Sequence, residues 1–296
     1  MKRFFVILLS ALSALNAAAQ TASALLIVPD PVAYGRGGAV VAAGADAFAV
    51  DNDAAAMSLS EDTFDVSVIY GRWSPKGVDN TVLGLGAYYR INDKFALGLS
   101  GRKLQDQPYE ITSASGQVTG SFTPGDFVAG LGLSYACTDE LSLGLTGRFL
   151  SSKIGVDASG RTFAADVTAM YAKDAFSAAL GVCNIGAPLS YGGAKSSLPM
   201  LAKAGAAYSV GGFTASAEAD YLFSGVLMAG LGLEYTIAEI VSLRGGFHYG
   251  NAAEAVSTYA SLGLGLQYAG VHFDAAFLLA SKTLGNTLMF GLGYAF

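Results

Sequence analysis

The chain ends on "NTLMFGLGYAF", Asn286–Phe296. Leu288, Phe290, Leu292, Tyr294 and Phe296 alternate with Met289, Gly291, Gly293 and Ala295. A period of two is a strand with two unlike faces. In a water-soluble sheet the second face is polar, but here it is mostly glycine and alanine. Glycine weakens a strand and marks a place where something approaches the backbone closely. The pattern fits a strand whose large face meets lipid and whose small face lines a filled lumen. That reading requires the alternation to recur along the chain, and it does.

Fourteen such segments follow one another, from "TFDVSVIYGRW" (63–73) through "LSLGLTGRFL" (141–150) and "LMAGLGLEYTI" (227–237) to the terminal one. Their connections alternate in length. Tight turns such as Asn92-Asp93, Gly211-Gly212 and Ala269-Gly270 lie on one side, and longer loops, the longest 105–124 and 185–198, on the other. An even strand number with short turns at one end is the rule of bacterial outer-membrane barrels. The sequence therefore predicts an all-β fold: a 14-stranded antiparallel transmembrane β-barrel, both termini periplasmic, Phe296 closing the last strand against the first.

The N-terminus agrees. Lys2 and Arg3, a short apolar run and Ala17-Ala18-Ala19 form a cleavable export signal over residues 1–19. Charged residues are 14%, against about 25% in ordinary globular chains. Beyond the signal no apolar run approaches the roughly 20 residues of a spanning helix. The net charge of −6 and the lack of a basic patch exclude nucleic acid as a partner. Cys137 and Cys183 fall near opposite ends of the barrel, too far apart for a disulfide, and read as free thiols.

Residues 61–296 make the barrel, and residues 20–60 form a short N-terminal plug segment in its lumen. Outward faces carry leucines such as Leu83, Leu131, Leu145, Leu231 and Leu264, with Tyr89, Tyr135, Tyr235, Tyr268 and Tyr294 as an aromatic girdle near the periplasmic ends. Inward faces carry glycine and a set of charges: Arg90, Arg102, Arg148, Glu218, Asp220, Glu234 and Arg244. A lumen charge must be paired or hydrated. Two readings are open: these groups pair with one another and the plug, or they line a substrate path.

The stretch "AYGRGGAVVAAGADAFAVDNDAAAM" (33–57) resembles the N-terminal signature of the PorV/PorQ family of outer-membrane proteins, similar in fold to the long-chain fatty-acid (FadL-like) barrels. "ALGVCNIGAPLSYGGAKSSLPMLAKAGAAYSV" (179–210) and "YASLGLGLQYAGVHFDAAF" (259–277) resemble its later blocks. Two elements depart: the family's Asn-Pro-Ala triplet reads Asn52-Asp53-Ala54, and its late Asp-Tyr-Ala element reads Asp274-Ala275-Ala276. The resemblance marks Gly35, Gly37, Gly38, Asp46, Asn52 and Ala54 as the plug motif. It implies an accessory role in type IX secretion, with secreted proteins or other secretion-system components as partners beside outer-membrane lipid. Loop residues Tyr109, Phe122 and Tyr191 are then the expected contacts. The alternative is a FadL-like channel for a hydrophobic or small solute, which would make that solute the ligand.

No catalytic constellation is visible. His248 and His272 stand on different strands without the spacing of a metal site. "GRGG" lacks the Lys-Ser/Thr of a phosphate loop. The reading is a non-enzyme with no metal and no cofactor.

Overall fold

The computed structural model describes residues 22–74, 80–250, 256–279 and 285–296. The expected export signal and the first two residues of the expected plug lie outside them. Fourteen strands form the wall: β1 (Phe64–Trp73), β2 (Asn80–Arg90), β3 (Phe95–Gln105), β4 (Gly125–Ala136), β5 (Leu141–Lys153), β6 (Ser159–Lys173) and β7 (Phe176–Gly186). They continue as β8 (Leu201–Val210), β9 (Phe213–Leu222), β10 (Val226–Ile237), β11 (Val241–Tyr249), β12 (Tyr259–Tyr268), β13 (Val271–Leu278) and β14 (Thr287–Ala295). Each pairs antiparallel with the next, and β14 returns to β1 from Asp65↔Ala295 to Gly71↔Met289, so the barrel is closed.

Closure leaves the wall no free sheet edge. It also fixes the register, because a one-residue slip would turn every leucine into the lumen. The outward residues are bare: Leu131 is 66% and Phe163 70% exposed, a face that only lipid satisfies. The two ends of the wall meet at one rim. The Thr63 amide donates to the Phe296 carbonyl at 2.7 Å, and the Phe64 and Phe296 rings lie 5.5 Å apart. Tight turns cluster at this rim, several in the left-handed region: Asp174, Ala238, Ala269 and three glycines, Gly211, Gly212 and Gly270.

The segment before β1 lies inside. Helix α1 (Pro31–Gly35) begins because Asp30 accepts the Val32 amide at 2.8 Å and Pro31 presets the first turn. It packs on β11 to β14. Helix α2 (Ala49–Asn52) runs into a 3₁₀ turn, Ala54–Leu59, capped by Asp53 at 2.9 Å from the Ala55 amide. These pack on β2 to β6. The glycines of the wall are moulded to this backbone. A Cβ at Gly144 would stand 2.3 Å from the Ala55 nitrogen, one at Gly86 2.3 Å from the Ala47 oxygen, and one at Gly246 2.1 Å from the Gly37 nitrogen.

Two small hairpins stand at the far end, Tyr109–Thr112 with Val118–Phe122 and Leu189–Tyr191 with Ala194–Ser196. Both cysteines are free, Cys137 exposed and Cys183 buried.

Candidate functional site

The lumen charges hold the plug, through three nodes. In the first, Asp51 of α2 accepts Arg102 Nη1 at 2.7 Å and also pairs with Arg148 Nη1. Arg148 reaches on to Asp166 on β6, and Asp166 accepts the Asn184 amide at 2.7 Å. Arg102 Nε also donates to the Ala24 carbonyl at 3.1 Å, and Arg148 Nη2 to those of Val50 and Asp51 at 3.2 Å each. The Asp51 side chain is 1% exposed. Burial opposes its charge, and the two guanidiniums override burial and hold the carboxyl below the usual range.

The second node is Glu218 on β9. One carboxylate oxygen accepts the amides of Val40 and Val41 at 2.9 and 2.8 Å. Lys203 lies 3.4 Å from the other and donates to the Asn52 carbonyl at 3.2 Å. Lys203 stands opposite Asp220 in register, yet leans to Glu218 and the plug. Asp220 Oδ1 is left buried without a partner.

The third node is a relay. Arg36 of the plug pairs with Glu234 at 2.8 Å, Glu234 with Arg244, and Arg244 with Asp274 at 2.6 Å. His272 then bridges Asp274 at 3.1 Å and Asp65 at 3.0 Å.

The expected plug residues fall into this frame. Gly37 and Gly38 are left-handed, φ 65° and 81°, and Gly37 lies so close to the Leu231 and Phe247 backbone that no Cβ fits. Gly35 touches Gly263 and Arg244. The Asn52 side-chain Nδ2 donates to Asp30 Oδ2 at 2.7 Å, tying α2 to the cap of α1. Ala54 is buried against Gly144. Asp46 accepts the Phe48 amide at 2.8 Å, while burial, with Asp30 and Asp65 nearby, pushes its carboxyl well above the usual range.

Of the seven charges expected in the lumen, Arg102, Arg148, Glu218, Glu234 and Arg244 grip the plug or its anchors. Arg90 differs: it lies at the rim, part-exposed, and donates to the Glu61 carbonyl at 3.4 Å. The partners Arg36, Asp51, Asp166, Lys203, His272 and Asp274 were missed. The β-strand members among them were readable, since each occupies the inward parity of an alternating strand.

Cavities remain between plug and wall, one of about 310 Å³ at the terminus rim among Ala43, Leu59, Asp62, Met170 and Phe176. A cavity of about 100 Å³ is lined by Leu25, Tyr34, Lys203, Asp220, His248 and Tyr259. One of about 190 Å³ opens at the terminus rim among Asp46, Asp62, Asp65, Arg244 and His272. Tyr109 and Phe122 are engaged within their own loop, and Tyr191 is engaged with the wall strand β5. The Tyr109 and Phe122 rings lie 6.1 Å apart, Tyr109 donates to Asp106 at 2.6 Å, and Tyr191 donates to Ser152 at 2.7 Å. Bare apolar side chains at this end include Val118, Ile154 and Val156.

Solved structures share the architecture. The Ralstonia pickettii toluene transporter TbuX is similar with a TM-score of 0.65 at 12% identity, over 90% of this chain and 98% of its own. The Pseudomonas putida toluene transporter TodX is similar with a TM-score of 0.62 at 12% identity, over 90% and 97%. A Pseudomonas aeruginosa FadL homologue gives 0.57 at 13% identity, over 91% and 99%. At such identities the likeness is one of fold. No curated protein matches the sequence. Residues 13–210, more than half of the chain, match the family described as "Type IX secretion system protein PorV". The chain is thus an outer-membrane β-barrel that belongs to the PorV family.

Proposed function

We propose that this barrel is an accessory component of type IX secretion: a binding protein, not an enzyme, that receives exported proteins or surface-attachment partners at its far-end loops. The C-terminus and the start of the wall then face the periplasm, since barrels of this type keep their short turns there, whereas residues 22–27 lie at the far end of the lumen among Trp73, Leu104, Leu150 and Leu189, which corrects the expectation that both termini are periplasmic. The observation that carries the reading is the plug. The lumen is occupied by the chain's own first segment, held at three ion-paired nodes. The cavity beside it among Tyr34, Lys203 and His248 is about 100 Å³, well below the roughly 300 Å³ of ordinary small-molecule pockets, and the larger spaces, about 190 and 310 Å³, lie at the terminus rim. Passage of a hydrophobic or small solute therefore requires the plug to leave, whereas binding at the loops does not. The loop ends carry Gly, Ser and Thr among exposed Val118, Ile154 and Val156, a surface suited to adaptable protein contact.

Co-purification from the native outer membrane tests this. Exported proteins sharing a C-terminal domain, or surface-attachment components, are the expected companions, and they are lost when 109–122 is replaced by a Gly-Ser linker. A barrel that carries only a bound hydrophobic solute, with uptake of that solute abolished on deletion, overturns it in favour of a channel.

A further inference from the structure

The lipid-facing wall is not uniformly covered. Across β3 and β4 the outward side chains are paired leucines, Leu97 opposite Leu133 and Leu99 opposite Leu131. Across β8 to β11 they shrink. Ala206 lies opposite Ala217, Tyr208 opposite Ala215, and Leu233 opposite Gly245. The result is a recess of about 620 Å³ on the outside of the barrel. Its floor is Ala206, Ala215, Ala217 and Gly245, and its flanks are large apolar side chains such as Tyr208, Leu231 and Phe247.

Three features separate this recess from ordinary roughness. Its volume is within the range of ligand pockets, about 300–1,000 Å³. Its outward lining carries no charged group, so only an apolar occupant fits. Its floor is fixed from behind. On the lumen side of the same strands, Gly205, Gly230, Gly232 and Gly246 rest on Arg36–Val41 of the plug, leaving one backbone layer between plug and exterior. Preformed concavity lowers the ordering cost of an occupant. The recess is continuous with the exposed belt of Leu231, Leu233 and Phe247, the surface that meets lipid. It begins at Phe176, the first residue of β7, close to the terminus rim.

We infer that this recess is a binding site for one acyl chain of a membrane phospholipid, entering from the terminus rim beside Phe176 and Tyr208 and lying over the alanine floor. The choice of phospholipid rests on the periplasmic orientation proposed above, and the acyl chemistry does not. The gain that matters is over the neighbouring annular positions, where the surface is exposed leucine.

The test uses the full chain in its native membrane. A photoreactive benzoylphenylalanine replaces Ala217 in the recess or, for comparison, Leu131 on the leucine face. After irradiation, detergent extraction and mass spectrometry, a phospholipid adduct is expected at least tenfold more abundant at 217 than at 131. In an A206L/A215L variant, which fills the floor without touching the plug face, native mass spectrometry should show the co-purifying phospholipid lost while the folded barrel still resists denaturation in detergent. Equal adducts at 217 and 131 would mean annular lipid only and overturn the site. A protein adduct at 217 would overturn the lipid assignment in favour of a partner barrel. An adduct with lipopolysaccharide alone would overturn the phospholipid and with it the orientation, leaving the loop-binding reading to its own co-purification test.

Discussion

The plug is held at its two ends by different kinds of electrostatics. At α2, Asp51 with Arg102 and Arg148 is sealed, with side chains 1% to 4% exposed. At α1, the relay from Arg36 to His272 borders the rim cavity, and its Arg244–Asp274 link is 8% and 10% exposed. A sealed ion pair is costly to build and more costly to break, because removal of one partner strands the other in a dry place. A pair that touches water loses less, because water replaces the missing partner. The α2 end is thus a lock and the α1 end a tether, and the difference can be probed.

The largest effect is expected from Asp51→Ala. Among the described residues Arg102 has no other carboxylate, so the change should cost about 3–5 kcal/mol. Limited proteolysis within 22–60 and thermal unfolding in detergent read it; a barrel with an equally protected plug would mean that Arg102 finds water, and that the α2 end is not dry.

Asp53, also at the α2 end, sharpens the same point through pH. Burial pushes its carboxyl up to about 6, above the unfolded value near 4. A raised carboxyl favours the protonated native state, so stability from this group is highest below pH 4. It falls as pH rises to 6, and the penalty is complete above. Asp53→Asn keeps the acceptor for the Ala55 amide and should stabilise by up to about 3 kcal/mol at pH 7.5 and not at all at pH 3.5. A gain that is equal at both pH values would show a cause other than charge.

The third comparison is steric. Gly144→Ala at the α2 end and Gly246→Ala at the α1 end both drive a Cβ into plug backbone, and each should cost about 1–3 kcal/mol. Gly147→Ala points into open space on the outer face and should stay within about 0.5 kcal/mol. If Gly246→Ala is the milder of the first two, the α1 end yields by moving. Glu234→Gln should cost about 1–2 kcal/mol, less than Asp51→Ala, between the surface and buried limits, and growing as salt is lowered. Salt-independent melting of this variant would place the relay with the sealed node.

Much of this was legible before any coordinates. The alternation in "NTLMFGLGYAF" yielded the lipid face, the small face and the closing pair, because period two is a local property that a single strand carries entire. The glycine face also announced a close approach, and residues 20–60 read as the lumen plug that makes it. Harder were the partners. Asp51 lies on a four-residue helix, too short to show a period, and its role depends on where two strands far along the chain bring Arg102 and Arg148. Asp166 and Asp274 were readable from inward parity on β6 and β13 but pass unnoticed in a search for catalytic or metal spacing. The recess on β8 to β11 was hidden for a different reason: a small residue on an outward face looks like ordinary variation until pairing sets Ala206 of β8 against Ala217 of β9, with Gly245 two strands further on.

Closure has a consequence for how the chain is made. The Ser67 hydroxyl donates to the Leu292 carbonyl across 225 residues of sequence, so the first and last strands meet only after everything between them exists. The plug precedes every strand of the wall, yet it packs on β2 to β6 at one end and on β11 to β14 at the other. Long-range closure is slow, with its entropy lost before any contact repays it. The plug's second anchorage therefore waits for strands that lie some two hundred residues further along the chain.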